Sequence, residues 1–201
     1  ASFDAHLADY IATPWLQEIK RQAWQSYQTL PMPRRTDETW RFSDLSKIQL
    51  EGFKPATEPH TEERDLLLER SHLVDNFAGR LVFGDNHLLL QDKVSDELAA
   101  QGVIWKPLPQ AIREHPELIR QYLNPDACEL GGDKFLALHY AFLQGGSFLY
   151  VPKGVVIEKP FVTYYWSCHC EEAIFPHTLI VAEDNARVSF VDYYGSKDGA
   201  C

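Results

Sequence analysis

Thiol and imidazole side chains cluster near the end of the sequence, at Cys168-His169-Cys170. In an extended strand, residues two positions apart point to the same side, so the two thiols would share one face. Thiolates and imidazoles bind zinc and iron–sulfur centres, and His177 and Cys128 could complete a ligand set. Structural zinc sites usually place two to four residues between paired cysteines, so this pair is a weak chelate. Cys168, Cys170 and His177 are therefore candidate metal ligands, with ordinary burial of the cysteines as the alternative.

The other titratable groups favour structural roles. His139 lies beside the apolar face of a predicted helix, which favours a hydrogen-bonded core histidine over a ligand. Glu171-Glu172 and Glu183-Asp184 border predicted strands and are typical of solvated turns. The sequence has no Gly-rich phosphate loop and no Ser nucleophile elbow. It therefore predicts no catalytic residue and no enzyme activity.

The bulk composition is that of a globular protein. The 201 residues are 45% hydrophobic and 24% charged, with a net charge of −10. This charge argues against a nucleic-acid partner, because phosphate binding needs clustered Lys and Arg. No apolar run reaches the roughly 18 residues that would span a bilayer, and no secretory signal is visible, so no membrane partner is expected. Four cysteines without a signal predict a reducing, cytoplasmic location.

The thiol cluster lies within a region of predicted β-strands, and these strands must position it. β-branched and aromatic residues alternate with turn residues from Ser147 to Gly195. Their spacing of roughly ten residues is compatible with a solenoid or a sandwich. The predicted strands are Phe148–Val151, Val155–Glu158, Phe161–Ser167, His177–Ala182 and Arg187–Tyr194.

The N-terminal part is predicted to be helical. Thr13-Pro14 is a helix start, because Thr can cap and Pro is tolerated in the first turn. Apolar residues then recur every four positions and predict one buried face, at Trp15, Ile19, Ala23 and Tyr27.

Two prolines prevent a helix in the segment Leu30–Ile48. Arg34 and Arg35 either pair with the nearby acidic residues or form an anion or partner site, and local pairing is favoured.

The middle of the chain mixes strands and helices. Gly84-Asp85-Asn86 predicts a hairpin turn, and Ser95 can cap a helix that runs through Ala100. The hairpin strands would be Arg80–Phe83 and His87–Gln91, with a further strand at Val103–Trp105. The predicted helices are Leu66–Val74, Pro109–Leu123 interrupted at Pro116, and Asp133–Gln144.

Three stretches resemble the SufB/SufD family, the scaffold subunits of the Suf iron–sulfur cluster assembly machinery. Leu30–Ile48 (LPMPRRTDETWRFSDLSKI) is similar to the family's N-terminal signature, and closer to the SufD branch. Ala137–Pro160 (ALHYAFLQGGSFLYVPKGVVIEKP) resembles the entry to the family's core. His177–Gly195 is similar to the strands that follow. The resemblance covers most of the chain, in the family's order.

The resemblance implies an α+β fold, with a helical N-terminal domain followed by the first coils of a right-handed parallel β-helix. It implies a SufB-like subunit and a SufC-type ATPase as partners, with a homodimer as a further option. Iron or an iron–sulfur cluster would belong to the full assembly, since the family's ligand positions and ATPase-binding region lie beyond this segment. It therefore assigns no cofactor and no site residue here.

The expected organisation has four parts. These are a helical segment (1–50), a linker (51–65), a small α/β segment (66–132) and the start of the β-helix core (133–201). Two functions remain as alternatives to a SufD-like scaffold subunit. One is a β-solenoid protein-binding module, and the other is a small metal- or thiol-dependent enzyme that uses Cys168 and Cys170.

Overall fold

Helices and strands fall into two units in the computed structural model, which describes residues 3–9, 13–45, 48, 50, 52–123, 125 and 132–197. The first unit contains residues 1–55 and 123–143, and the second contains residues 56–122 and 144–201. The segment 123–143 therefore belongs to the first unit, whereas the expected organisation divided it between the α/β segment (66–132) and the β-helix core (133–201). None of the helices within the described ranges is long and apolar enough to cross a bilayer.

The boundaries of the regular elements are as follows. The helices are α1 (Phe3–Asp9), α2 (Pro14–Thr29), α3 (Thr61–Arg70), α4 (Asp96–Ala100), α5 (Leu108–Glu114), α6 (Pro116–Tyr122) and α7 (Asp133–Phe142). The strands are β1 (Lys54–Pro55), β2 (Gly79–Gly84), β3 (His87–Gln91), β4 (Ile104–Pro107), β5 (Gly146–Val151), β6 (Phe161–Ser167), β7 (Glu172–Ala173), β8 (His177–Ala182) and β9 (Phe190–Ser196).

Helix α2 starts where the sequence predicts, with Thr13 in extended backbone as the residue before Pro14. Its buried residues are Leu16, Lys20 and Ala23. Over the first two turns the predicted buried positions, Trp15 and Ile19, were therefore wrong by one residue each. The prediction assumed that a lysine would not lie on the buried face.

Lys20 is fully buried because its ammonium group has partners inside the first unit. Its Nζ donates to the carbonyl oxygen of Leu143, the residue that follows α7, and lies 3.0 Å from Nε2 of His6. Burial lowers the pKa of Lys20 to about 7. Burial, followed by the charge of Lys20, lowers the pKa of His6 to about 4. The lysine side chain thus provides a hydrogen-bond donor for a backbone carbonyl at the C-terminal end of α7.

The proline-containing loop after α2 is fastened to α7. Nζ of Lys134 donates to the carbonyl oxygens of Tyr27 (2.8 Å) and Leu30 (2.7 Å) at the end of α2. The ring of Trp40 packs on Phe135, with centroids 5.4 Å apart. This loop contains only a short 3-10 turn, in keeping with the prediction that its prolines exclude an α-helix.

The second unit contains a four-stranded sheet of order β3-β2-β6-β9 and a three-stranded sheet of order β4-β5-β8. Strands β2 and β3 form an antiparallel hairpin, which confirms the predicted turn. Asp85 (φ 45°) and Asn86 (φ 71°) at the turn have the left-handed backbone that suits a tight hairpin.

Strands β5, β6, β8 and β9 alternate between the two sheets. Strand β8 returns beside β5 in parallel, pairing Gly146 with His177, and β9 returns beside β6, pairing Phe161 with Phe190. The partner residues are thus 31 and 29 positions further along the chain. Each sheet therefore gains one parallel strand for every pass of about thirty residues.

Strand β6 is buried on both faces, which explains its continuous apolar sequence. One face contributes Phe161 and Tyr165 to a cluster that also contains Trp105 and Leu149. The other face contributes alternate residues to a second cluster, whose buried members are Leu67, Val82, Leu89, Val162, Tyr164, Trp166 and Cys168.

The predicted elements of the second unit differ from the observed ones mainly at their ends. The predictions for β6, β8 and the helix capped by Ser95 match the structure. The predicted strand Val155–Glu158 is reduced to one bridge between Val156 and Arg187. Helix α3 starts at Thr61, inside the predicted linker, where the Glu63 side chain accepts a hydrogen bond from the backbone N–H of His60 (3.2 Å).

A candidate metal-binding cluster at the hairpin turn

The carboxylate of Asp85 lies at the centre of a polar cluster in the second unit. Its side chain is only 1% exposed, because the β2–β3 turn directs it toward the end of β6. The backbone N–H of Asp85 donates to the carbonyl oxygen of Trp166 (3.0 Å), which continues the β2–β6 pairing past Gly84. The left-handed turn and this extra hydrogen bond together fix the position of the carboxylate.

Both carboxylate oxygens of Asp85 have partners just after β6. Oδ1 accepts a hydrogen bond from the backbone N–H of Cys168 (2.9 Å), and Oδ2 lies 2.9 Å from Nδ1 of His169. These bonds compensate the desolvation of a buried carboxylate. They also hold the corner at residues 168–169 against the hairpin turn.

The imidazole of His169 is surrounded by carboxylates. Besides Asp85, its Nδ1 lies 3.7 Å from Oε2 of Glu172, and its Nε2 lies 3.5 Å from Oε2 of Glu63. The side chains of Glu63 and Glu172 are 16% and 8% exposed, so these contacts are mostly shielded from solvent. Three acidic residues from three separate segments therefore converge on one ring.

Each glutamate is held by groups other than His169. Glu172 accepts hydrogen bonds from the backbone N–H (2.9 Å) and Oγ1 (2.8 Å) of Thr57. Glu63 pairs with the ammonium group of Lys197, and this hydrogen bond lowers the pKa of Glu63. Lys197 supplies the positive charge that offsets one of the three carboxylates.

This arrangement has two chemical uses. It can be an ion-pair network that ties α3, the hairpin turn and the segment after β6 together. It can also hold a cation, since Asp85, His169 and Glu172 each offer one ligand atom and these atoms lie within 4.8 Å of one another. Among the residues that the structure describes, this is the only such group of three or more.

The residues predicted from the sequence as metal ligands are not members of this group of three. Cys168 is 4% exposed in the apolar core beside Trp166, and burial, followed by the charge of Asp85, raises the pKa of its thiol to about 12. Cys170 is disulfide-bonded. His177 begins β8 in the other sheet, beside Gly146. Cys128 lies outside the described residues.

Strand geometry therefore does not relate the two thiols of the Cys-His-Cys sequence, because β6 ends at Ser167. This arrangement does not test whether Cys168, Cys170 or His177 binds a metal, so metal binding by these residues stays a prediction. The remaining histidine considered, His139, has a lowered pKa caused first by burial and then by the charge of Lys20. It lies in the first unit, on α7.

Sequence reasoning missed the acidic partners of His169. Glu172 was interpreted as part of a solvated turn and Asp85 as a turn residue alone. A usable signal existed only for Asp85, because the hairpin prediction located it next to a strand end. The parallel pairing of β2 with β6 brings Gly84 beside Trp166 across 82 residues, and nothing local in the sequence indicates it.

Comparison with known proteins shows similarity along most of the chain. The model for the SufBD protein N-terminal region matches residues 4–162. The iron–sulfur cluster assembly protein SufD of Bacillus subtilis is 34% identical over 186 residues, which cover 90% of this chain and 41% of that protein.

Two further relatives give the same result. An iron–sulfur cluster assembly SufBD family protein of Staphylococcus epidermidis is 28% identical, covering 89% of this chain and 40% of that protein. One from Mycobacterium tuberculosis is 35% identical, covering 89% of this chain and 22% of that protein. The chain thus spans about two fifths of the first two relatives and less of the third.

Proposed function

The chain belongs to the SufBD family, and from this premise we propose that it acts as part of a SufD-like scaffold or accessory subunit in iron–sulfur cluster assembly. The observation that carries the proposal is the similarity to a protein named SufD over 90% of this chain. The family model supports it independently, since it matches residues 4–162 across both structural units.

We further propose that the strands of the second unit begin a right-handed parallel β-helix. The support is the alternation of β5, β6, β8 and β9 between two sheets, with parallel partners about thirty residues apart. In a solenoid each coil contacts only its neighbours, so the same pairing can repeat without a change in topology. Further passes in a longer chain would then pair along β8 and β9.

The proposed partners are a SufB-like subunit and a SufC-type ATPase. The chain spans about two fifths of the SufD relative, so these contacts are proposed for the full-length protein that carries it. In this role the chain supplies binding surfaces and no catalytic residue. The buried thiol of Cys168 fits this role, because a thiol with a pKa of about 12 is a poor nucleophile at neutral pH.

Co-purification tests the proposal directly. The full-length protein carrying this chain would be expressed with an affinity tag together with the SufC-type ATPase and the SufB-like protein of the same organism. We expect both to be retained in fixed stoichiometry, and the mixture to restore the cluster of an apo-ferredoxin faster than the mixture without this protein.

Two controls accompany this experiment. In the first, the affinity tag is on the ATPase, and in the second, an unrelated β-solenoid protein replaces this one. A folded protein that retains neither partner in either orientation contradicts the proposed assembly role. That result, with an unrelated partner recovered, would favour a general solenoid binding module.

A further inference from the structure

We propose that Asp85, His169 and Glu172 bind a divalent transition-metal ion, with Glu63 orienting the imidazole. Each of the three residues offers one ligand atom, and these atoms lie within 4.8 Å of one another. We assign Nδ1 of His169 and the carboxylate oxygens beside it, Oδ2 of Asp85 and Oε2 of Glu172, as the ligands. This site is independent of the proposed role in cluster assembly, because it rests only on the geometry around His169.

The distances between the ligand atoms suit a shared ion. Two ligands that each lie about 2.1 Å from one metal are separated by about 3.0 to 3.5 Å, for angles between octahedral and tetrahedral. Nδ1 of His169 lies 2.9 Å from Oδ2 of Asp85 and 3.7 Å from Oε2 of Glu172. These two values lie on either side of that range. A small rotation of the ring would therefore admit an ion on its Nδ1 side.

The far nitrogen of the ring already faces a suitable acceptor. A histidine that ligates a metal through one nitrogen almost always donates the N–H of the other to a carboxylate, a carbonyl or water. Here Nε2 of His169 lies 3.5 Å from Oε2 of Glu63. A ring that binds an ion through Nδ1 carries its remaining proton on Nε2. Glu63 would then accept that proton in a hydrogen bond.

Neighbouring groups fix the three carboxylates before an ion arrives. The backbone N–H of Cys168 holds Asp85, Thr57 holds Glu172, and Lys197 holds Glu63. Preorganisation of this kind reduces the conformational entropy lost on binding. It leaves one oxygen of Asp85 and one of Glu172 directed at the ring, as a two-carboxylate, one-imidazole ligand set.

Charge favours the same conclusion. Three carboxylates face the ring, and Lys197 is the cation in contact with them among the described residues. A divalent ion would offset the excess negative charge, which is costly in a shielded site. One imidazole with two carboxylates suits Mn²⁺, Fe²⁺ or Zn²⁺, whereas Ca²⁺ requires six to eight oxygen ligands.

The experiment is a titration of the metal-free, full-length protein with Mn²⁺, followed by electron paramagnetic resonance. We expect Glu172→Gln to lose one bound Mn²⁺ per chain, or to bind that ion at least tenfold more weakly. Glu63→Gln should weaken the same site by about 10- to 100-fold while keeping its stoichiometry, as a residue that orients a ligand does. Pulsed measurements should show one imidazole nitrogen on the ion, absent in His169→Gln.

Glu183→Gln is the matched control, because Glu183 is another hydrogen-bonded glutamate of the second unit, with Tyr150 and the N–H of Lys153 as its donors. It should leave the Mn²⁺ count and affinity unchanged. Asp85→Asn is a weaker test, since it also removes contacts that hold the corner after β6. The proposal is overturned if Glu172→Gln and Glu183→Gln bind Mn²⁺ alike while both keep the far-ultraviolet spectrum of the parent. It is equally overturned if the bound ion shows no nitrogen of His169.

Discussion

Strands β5 and β6 differ sharply in burial from β8 and β9, although each strand of the second pair lies beside one of the first in the same sheet. Nearly every residue of β5 and β6 is buried, whereas β8 and β9 contain one buried residue, Val181. The parallel registers are regular, so the difference does not come from irregular pairing. It comes from the number of neighbours that each strand has.

Strand β5 lies between β4 and β8, and β6 lies between β2 and β9. In the described part of the chain, β8 and β9 each pair along one edge only. Apolar side chains are consequently exposed there, with Ile180 at 41% and Tyr194 at 61%. The comparison shows that residue type favours the formation of a strand, whereas pairing with a strand on each side determines how much of it is buried.

The largest expected effect comes from Gly146, which is paired with His177 of the neighbouring pass. It has φ +109°, and a Cβ added there would lie 2.0 Å from the carbonyl oxygen of His177 in β8. Gly146→Ala should therefore lower the free energy of unfolding by about 3 kcal/mol or more, measured by urea denaturation.

Gly154→Ala is the control for this substitution. Gly154 also has a positive φ (+74°), but nothing lies within 4 Å of an added Cβ. Its cost should be limited to the backbone conformation, about 1 kcal/mol. Equal losses for the two variants would show that β5 and β8 do not approach as described.

Two tyrosines at paired positions give the next largest effect. Tyr165 in β6 and Tyr194 in β9 are register partners with rings 5.0 Å apart, but they are 2% and 61% exposed. Tyr165→Ala should lower the free energy of unfolding by about 3 to 5 kcal/mol, and Tyr194→Ala by less than about 1 kcal/mol. Urea denaturation of both variants of this chain measures the difference directly. A similar loss for the two would remove the distinction between inner and outer strands.

A carboxylate in the edge strand β9 should make the stability of the chain depend on pH. Asp192 in β9 accepts a hydrogen bond from Oγ1 of Thr178 in β8, and burial is the main cause of its raised pKa. The folded state therefore holds this proton more tightly than the unfolded state does. The contribution of Asp192 to stability is full below pH 3.8 and is lost as pH rises through its folded pKa.

Asp192→Asn should remove this part of the pH profile, an effect within about 1 kcal/mol because solvent screens a partly exposed group. Urea midpoints measured at several values between about pH 4 and pH 7 test it. Asp184→Asn, which removes a carboxylate that is 80% exposed, is the control. Parallel profiles for Asp192→Asn and the parent chain would contradict the expectation.

The smallest effect is expected at the surface pair that links the turns after β5 and β8. Nζ of Lys153 lies 3.3 Å from Oδ2 of Asp184, with side chains 67% and 80% exposed. Lys153→Ala should change the free energy of unfolding by no more than about 0.5 kcal/mol, and less in high salt. A loss above about 1.5 kcal/mol would contradict the expectation that this exposed ion pair contributes little to stability.

Local signals allowed much of the fold to be predicted. The Thr13-Pro14 helix start, the Ser95 cap and the Asp85-Asn86 turn each depend on a few consecutive residues, and the structure contains all three. The boundaries of β6 and β8 were also predictable, because turn residues flank their apolar runs. The right-handed β-helix as a fold class remains a prediction.

The candidate site was much less accessible to prediction. Residue types drew attention to Cys168 and Cys170, but the groups that converge are carboxylates around His169. Likewise, the sequence pattern predicted that Lys20 lies outside the apolar face of α2. In the structure Lys20 is buried, because the carbonyl oxygen of Leu143, 123 residues away, accepts its hydrogen bond. In both cases a distant partner changes the role of a polar side chain.

The sequence by itself determined the family, the local elements and the strand-rich character of the C-terminal region. These depend on short-range backbone preferences and on motifs that are read along the chain. Only the tertiary structure decided which strands are inner and which are outer, and which acidic residues surround His169. Both depend on parallel pairing across about thirty to eighty residues, and side-chain chemistry alone does not specify such contacts.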